Sequence, residues 1–262
     1  MAVPERDPAP AVTRALRALT VLAESRGAPM TLSELARALG IAKSSAANVC
    51  AALEEGRMIE RVPGGYRLGR RTAELGGAFA LQFNQIREFF SVCAASEPLR
   101  RELVQIAMLE GRDALYLARH EGRGQERLGT PLGSRLPAEQ TATGRAALMS
   151  FTDEQIRERF RAGGLRRLTP SSLATAEELV DVVAEARGRG YALDRSASLE
   201  GIVGVAVPLP PWAPGDPPLA IGVALPAASA DEASMARVRE GLHDAVAELT
   251  NPMAHDGGGS RA

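Results

Sequence analysis

The sequence predicts an α+β protein of two domains, and three observations predict it. Residues 36–56, "ARALGIAKSSAANVCAALEEG", read as two short helices hinged at a glycine, and a strand, a tight turn and a second strand follow them. Beyond residue 90, strand-like runs are interspersed with helical segments without strict β-α-β alternation, the pattern of an antiparallel sheet with helices packed on it. The third observation is charge. Residues 11–71 carry ten Lys or Arg against five Glu, a net +5, whereas the whole chain sums to −1 and so leaves −6 for the remainder. A basic N-terminal module that faces an anion, joined to an acidic module that does not, is the simplest reading.

From the N-terminus, "VTRALRALTVLAES" has helical periodicity, with Val12, Leu16, Leu19 and Leu22 as its expected buried stripe, and "GAP" at 27–29 ends it. In "TLSELARALG", Thr31 and Glu34 stand at capping-box spacing, Leu32, Leu35, Ala36 and Leu39 form one stripe, and Gly40 supplies the stop. A third helix starts near Lys43 or Ser44, with Ala46, Val49, Cys50 and Leu53 inward and Ser45, Ala47, Asn48 and Ala51 outward. "MIERV" and "YRLG" read as strands joined by a turn at Pro63-Gly64-Gly65. Three helices and a hairpin make a winged helix-turn-helix over residues 11–71. Residues 72–90 read as a linker helix weakened at Gly76-Gly77, whose Leu75, Phe79, Leu81, Phe83, Phe89 and Phe90 serve either a second copy of the chain or its own core.

Residues 91–252 hold the runs "VQIAML", "ALYLAR", "YALDR", "GIVGVAVPL" and "LAIGVAL", with helices near 141–150, 153–162, 176–188 and 231–249, and read as a mixed α/β domain. Residues 1–10 and 253–262 lack the apolar content to offset ordering and are expected to be disordered. No apolar run approaches a membrane span, and "MAVPERDPAP" is not a signal peptide, so a cytoplasmic protein is expected. Cys50 and Cys93 are too few for a disulfide framework, and His120, His243 and His255 have no metal-ligand spacing. No metal, cofactor or catalytic site is expected.

The outward face of the third helix is small and uncharged, and a major groove about 12 Å wide favours such a face because it lets the backbone approach closely. Asn48 carries the groups to bridge the N6 and N7 edge of an adenine, Ala47 and Ala51 suit thymine methyls, and Lys43, Ser44 and Ser45 at the helix start suit phosphates. Arg61, Arg67, Arg70 and Arg71, on or just after the hairpin, suit the flanking backbone. Double-stranded DNA is therefore the expected partner, bound by two copies on an inverted repeat, because one winged helix touches only a few base pairs. The plainer alternative is that the alanines bury against the neighbouring domain and the arginines form a solvated face.

In this order, "VTRALRAL", "TLSELARALGIAKSSAANVCAALEEG", "YRLGRRTAELG", "GSRLPAEQTATGRAALMSF" and "RGYALDRSASLEGIVGVAVPL" resemble the IclR family of bacterial transcriptional regulators, from Val12 to about Asn251. The resemblance implies a dimer, often a dimer of dimers, that binds an operator through winged helices and senses a small molecule in its C-terminal domain. It implies no enzymatic activity. The family's effectors are commonly small carboxylates or aromatic catabolites, held between the sheet and the helix that starts in "TATGRAAL". That places effector contacts at Thr143, Gly144 and Arg145, at a helix N-terminus that favours an anion, and at Asp194 and Glu200 in the strand segment. The alternatives are that Thr141 or Thr143 caps its own helix, and that Asp194 and Glu200 pair with an arginine or are simply solvated.

Departures from the family's pattern carry further expectations. Gly204 stands where a strand cysteine is common, and Gly222 and Ala224 where two serines are frequent. If those strands face the pocket, the loss of a thiol and two hydroxyls predicts a roomier, more apolar cavity suited to an aromatic or aliphatic ligand, or a domain that only oligomerises. Asn48 stands where the family often has arginine, which moves the expected base from guanine to adenine. Gly76 and Gly77 are candidate hinge positions. An enzyme with a DNA-binding appendage would need a triad such as Ser134, His120 and Asp113 or Asp194, but the sequence has no G-x-S-x-G elbow.

Overall fold

The computed structural model describes residues 7–25, 27–80, 84–122, 130–211 and 215–250, and the chain divides into two compact units, Met1–Gln82 and Phe83–Ala262. Of the stretches expected to be disordered, residues 1–6 and 253–262 lie outside the described residues, while Pro10 already opens a helix.

The first unit contains α1 (Pro10–Glu24), α2 (Leu32–Leu39), α3 (Lys43–Glu55), the strands β1 (Ile59–Val62) and β2 (Gly65–Leu68), and α4 (Arg70–Ala80). Thr31 and Glu34 form the expected capping box, in which the Glu34 carboxylate accepts the Thr31 amide at 2.8 Å, and Gly40 ends α2 at φ 67°. Leu22, Leu35, Leu39, Cys50, Leu53, Ile59 and Tyr66 form the core of this unit. Burying each large apolar side chain contributes about 1.5–3 kcal/mol. The expected stripe on α1 is corrected in part: Ala18 and Leu22 are buried and Ala15 and Leu19 pack beside them, whereas Val12 and Leu16 are 58% and 60% exposed. Two overlapping apolar stripes run along this helix, and the one carrying alanines is the inner, because small side chains let α1 lie close to its neighbours.

The hairpin is antiparallel with Ile59 opposite Leu68 and Val62 opposite Gly65. Met30 extends it: its amide donates to the Tyr66 carbonyl at 2.9 Å and its carbonyl accepts the Tyr66 amide at 2.8 Å. This bridge ties the wing to the start of α2. Gly65 makes it possible, since its φ is 142° and a Cβ there would collide with the Met30 carbonyl. The segment expected as one linker helix is described as two, α4 and α5 (Asn84–Ala95), with Leu81 and Phe83 outside the described residues. Helix α4 runs through Gly76 and Gly77 without interruption. Leu75, Phe79 and Phe90 are exposed, whereas Phe89 is buried.

The second unit is built on a six-stranded antiparallel sheet of order β5-β4-β3-β8-β7-β6. Its strands are β3 (Leu103–Glu110), β4 (Asp113–Glu121), β5 (Arg135–Pro137), β6 (Ala192–Arg195), β7 (Ile202–Leu209) and β8 (Leu219–Pro226). Helices α6 (Ala142–Leu148), α7 (Asp153–Phe160) and α8 (Ala176–Arg189) form one hydrophobic cluster with Ala192, Ala206 and Ala220 of the sheet. Helices α5 and α9 (Glu232–Leu249) pack on the sheet's other side. The two inner strands explain this division. On one face β7 and β8 present Gly204, Ala206, Ala220, Gly222 and Ala224, and on the other Val203, Val205, Val207, Ile221, Val223 and Leu225. The small face takes α6.

Gly65→Ala is expected to destabilise the first unit by at least about 2 kcal/mol, because the added methyl must push the Met30 carbonyl out of the bridge. Urea unfolding followed by circular dichroism would show this as a lowered midpoint; an unchanged midpoint would mean that the bridge does not hold the wing.

Candidate nucleic-acid interface and effector site

Helix α3 exposes Lys43, Ser44, Asn48, Ala51 and Ala52 and buries Ala46, Cys50 and Leu53. Ser44, Asn48 and Ala51 recur at helical spacing on one stripe, and Ser45 and Ala47, half-buried, flank it. The start of α3 has no side-chain cap, because its N-cap is Ala42, whereas α2, α7 and α8 are each closed by a threonine capping box. The free amides and the positive end of the helix dipole therefore face outward beside Lys43.

The four arginines of the expected clamp have different surroundings. Arg67 pairs across the hairpin with Glu60 at 2.6 Å, both half-exposed, and the guanidinium of Arg61 lies over the Tyr66 ring at 5.4 Å. Arg71 lies 3.6 Å from Glu74, and Arg70 is exposed at the start of α4. A surface pair such as Arg67–Glu60 is worth at most about 1 kcal/mol, so it yields readily to a phosphate. Sequence reasoning left out Arg57, exposed in the turn between α3 and β1 at φ 56°.

In the second unit Gly204 stands in register between Asp194 and Ala224, and Gly222 lies beneath Thr143, so these expected residues share the face of the sheet that α6 covers. Thr141 caps α6: its hydroxyl accepts the Gly144 amide at 3.0 Å, so the seat expected for an anion is filled by the chain's own threonine. The Thr143 hydroxyl meets that of Tyr116 at 3.2 Å instead. Arg145 turns away to the edge of the sheet, where its Nε donates to the Glu139 carbonyl at 2.9 Å and its Nη1 to the Leu193 carbonyl at 2.6 Å. Asp194 is buried, accepts the Ala197 amide at 2.6 Å and the Ser198 hydroxyl to close a turn, and has the Arg145 guanidinium near enough for its charge to act on it. Burial pushes its carboxyl above the usual range, against those hydrogen bonds. Glu200 is exposed in the turn before β7.

The glycines do not open a roomier cavity. A Cβ on Gly222 would lie 2.8 Å from the Ala206 Cβ and 3.0 Å from the Thr143 Cγ2, and one on Gly204 would lie 3.0 Å from the Ala142 Cβ. The expectation of added volume is corrected at these two positions: α6 has settled into the space, as close packing requires. Ala224, half-buried, lies opposite Gly204 on the same face.

Residues that sequence reasoning passed over gather beside Thr143. Gln105 stands in register between Arg119 and Gly222, and its side chain donates to the Thr130 carbonyl at 3.0 Å. A bulge opposite Ile106/Ala107 makes Leu117 an extra residue of β4. Past it, Tyr116 comes onto the face of Arg119 and reaches α6. Burial pushes the Tyr116 phenol up, with the Thr143 hydroxyl opposing. One signal was available: Gln105 is polar in the otherwise apolar run "VQIAML".

The nominated triad is not assembled. His120 Nε2 lies 3.2 Å from the Arg100 carbonyl and Asp113 pairs with Arg166 at 2.7 Å. Those two sit at opposite ends of β4, about 23 Å apart at strand rise. Among the described residues no group of acidic, His or Cys side chains is placed to hold a metal, and no helix is long and apolar enough to cross a membrane.

Comparison with known proteins follows the same two units. Residues 11–63 match the IclR helix-turn-helix domain, and residues 95–251 match the family described as bacterial transcriptional regulator IclR C-terminal. The HTH-type transcriptional regulator XynR of Escherichia coli (strain K12) is 26% identical over 248 residues, 93% of this chain and 97% of that protein. The acetate operon repressor of Salmonella typhimurium is 26% identical over 199 residues, 74% and 72% of the two chains. The IclR transcriptional regulator from Alicyclobacillus acidocaldarius superposes with a TM-score of 0.79 at 25% identity, covering 92% of this chain and 97% of that one.

Gly222→Ser is expected to cost about 1–3 kcal/mol by overpacking α6 against the sheet. Chemical denaturation of the full chain measures it, and a neutral substitution would mean that α6 leaves room above β8 after all.

Proposed function

The chain belongs to the IclR family of bacterial transcriptional regulators, and from that premise we propose that it represses transcription by binding an inverted-repeat operator as a dimer or tetramer. In this reading α3 enters the major groove, Asn48 reads an adenine, Ala47 and Ala51 meet thymine methyls, and Lys43, Ser44 and Ser45 hold phosphates. Arg61, Arg67, Arg70 and Arg71 hold the flanking backbone. The observation that carries it is the bare, uncapped start of α3 beside Lys43. A repressor relative supports the direction of control. The exposed pairs Val12/Leu16 and Leu75/Phe79, each one helical turn apart, supply apolar surface for self-association.

The second unit senses a small effector, an aromatic or aliphatic carboxylate among the candidates, on the face where Gln105, Tyr116, Arg119 and Thr143 meet. A second reading has specific support: the close packing of α6 on Gly204 and Gly222 favours a unit that only oligomerises.

Fluorescence anisotropy with fragments of neighbouring promoters tests the first part. Asn48→Ala is expected to lose on the order of 1–3 kcal/mol of discrimination at one A·T pair, and Lys43→Ala to lower the salt slope by about one. Ser44→Glu, which puts a carboxylate against phosphate, is expected to abolish binding; unchanged affinity in that variant would end the proposal for α3. A thermal-shift screen of carboxylates and aromatic catabolites tests the second part. A sensor gains stability as RT ln(1 + [L]/Kd), and a unit that only oligomerises does not respond.

A further inference from the structure

We propose that the second unit carries an anion pocket separate from the Tyr116–Thr143 face, formed between α8, β6 and the loop before α8, that takes a small organic carboxylate. It goes beyond the operator-binding reading and does not depend on it. The pocket has a volume of about 220 Å³, room for a small organic anion. Arg145 lies in its wall, with Arg189 and Arg195 beside it.

Arg145 is the reason to expect an anion there. It is only 6% exposed, and its Nε and Nη1 are spent on the carbonyls of Glu139 and Leu193, while its buried Nη2 has no hydrogen-bond partner. A buried guanidinium donor left without an acceptor is costly, and a ligand carboxylate would supply one. The buried carboxylates of Asp194 and Glu139 lie near enough to oppose the Arg145 charge, but neither fills the open donor on Nη2. Asp194 closes its turn onto Ala197 and Ser198, and the Glu139 carboxylate accepts the Arg166 amide at 3.0 Å and lies 3.6 Å and 3.8 Å from the Arg166 and Arg112 guanidinium groups. No ion pair of Arg145 is found among the described residues. Burial pulls the Arg145 pKa down, the Asp194 and Glu139 charges oppose that pull, and the neighbouring Arg189 adds to it.

The rest of the wall fits the same ligand. Arg189 and Arg195 are exposed at the rim and Glu185 is the single acid, so the charged lining sums to a positive balance. Leu173, Val182 and Ala197 offer apolar surface between the arginines. A carboxylate would take one hydrogen bond from Arg145 Nη2 and a second from a rim arginine, and its hydrocarbon part would cover the apolar wall.

The test uses the full chain, with benzoate as the carboxylate probe, benzamide as its neutral counterpart and inorganic phosphate as the compact anion, read by titration calorimetry and thermal shift. Benzoate is expected to bind saturably and raise the melting temperature, and benzamide to do neither. Arg195→Ala, at an exposed position, is expected to weaken benzoate about tenfold, and Val182→Trp, which fills the pocket, to abolish it. Tyr116→Phe is expected to leave benzoate binding intact. Absence of saturable binding up to about 10 mM would overturn the proposal. So would loss of binding in Tyr116→Phe with Arg195→Ala and Val182→Trp unaffected, since that pattern belongs to the other face of α6. Phosphate binding without benzoate binding would overturn the assignment to an organic carboxylate. None of these outcomes bears on the DNA measurements, so the two readings fail separately.

Discussion

Helix α6 reaches the sheet only because the strands beneath it present almost no side chain on that face. A helix of seven residues does not hold itself together in water, so its conformation comes from what it packs on. With Gly204, Ala206 and Gly222 as the floor, the Thr143 methyl rests against the sheet and its hydroxyl meets Tyr116. The same seating fixes the direction of Arg145. Its side chain is buried and reaches the Leu193 carbonyl of the edge strand β6. One packing constraint therefore sets both a closed, polar contact on one side of α6 and a buried cation on the other.

The first unit solves a different problem, which is to keep a helix face empty while fixing where it points. Ala46, Cys50 and Leu53 anchor α3 from behind, so its outer stripe owes nothing to the core. The hairpin is then tied by backbone hydrogen bonds between Met30 and Tyr66, which set the wing relative to the helix pair without using exposed side chains. Its arginines stay at the surface, and their summed field attracts a polyanion from a distance beyond any single contact.

The sequence made some of this legible and hid the rest for physical reasons. Local signals survived well: the Thr31–Glu34 box, the Gly40 stop, the Pro63-Gly64-Gly65 turn and the inner stripe of α3 all depend on residues a few positions apart. The outward turn of Val12 and Leu16 was hidden because two apolar stripes overlap on α1 and only the tertiary partners choose between them. At Gly204 and Gly222 the sequence predicts a roomier cavity, whereas a glycine in a strand as readily marks where a packed element comes close. Tyr116 could not be placed on the α6 face by alternation, because the extra residue Leu117 shifts the phase of β4. The sequence leaves Thr141 and Thr143 as alternative caps of α6, and the structure selects Thr141, which is what turns Arg145 away from the helix start.

The lengths of the outermost strands have a consequence for assembly. β5 and β6, at the two ends of the sheet, have three and four residues, against eight or nine in the strands between them. Arg145 also occupies a carbonyl of β6. Ribbon-to-ribbon growth from one molecule to the next finds little open backbone at either margin, and natural proteins use such blunted margins to resist runaway fibre formation.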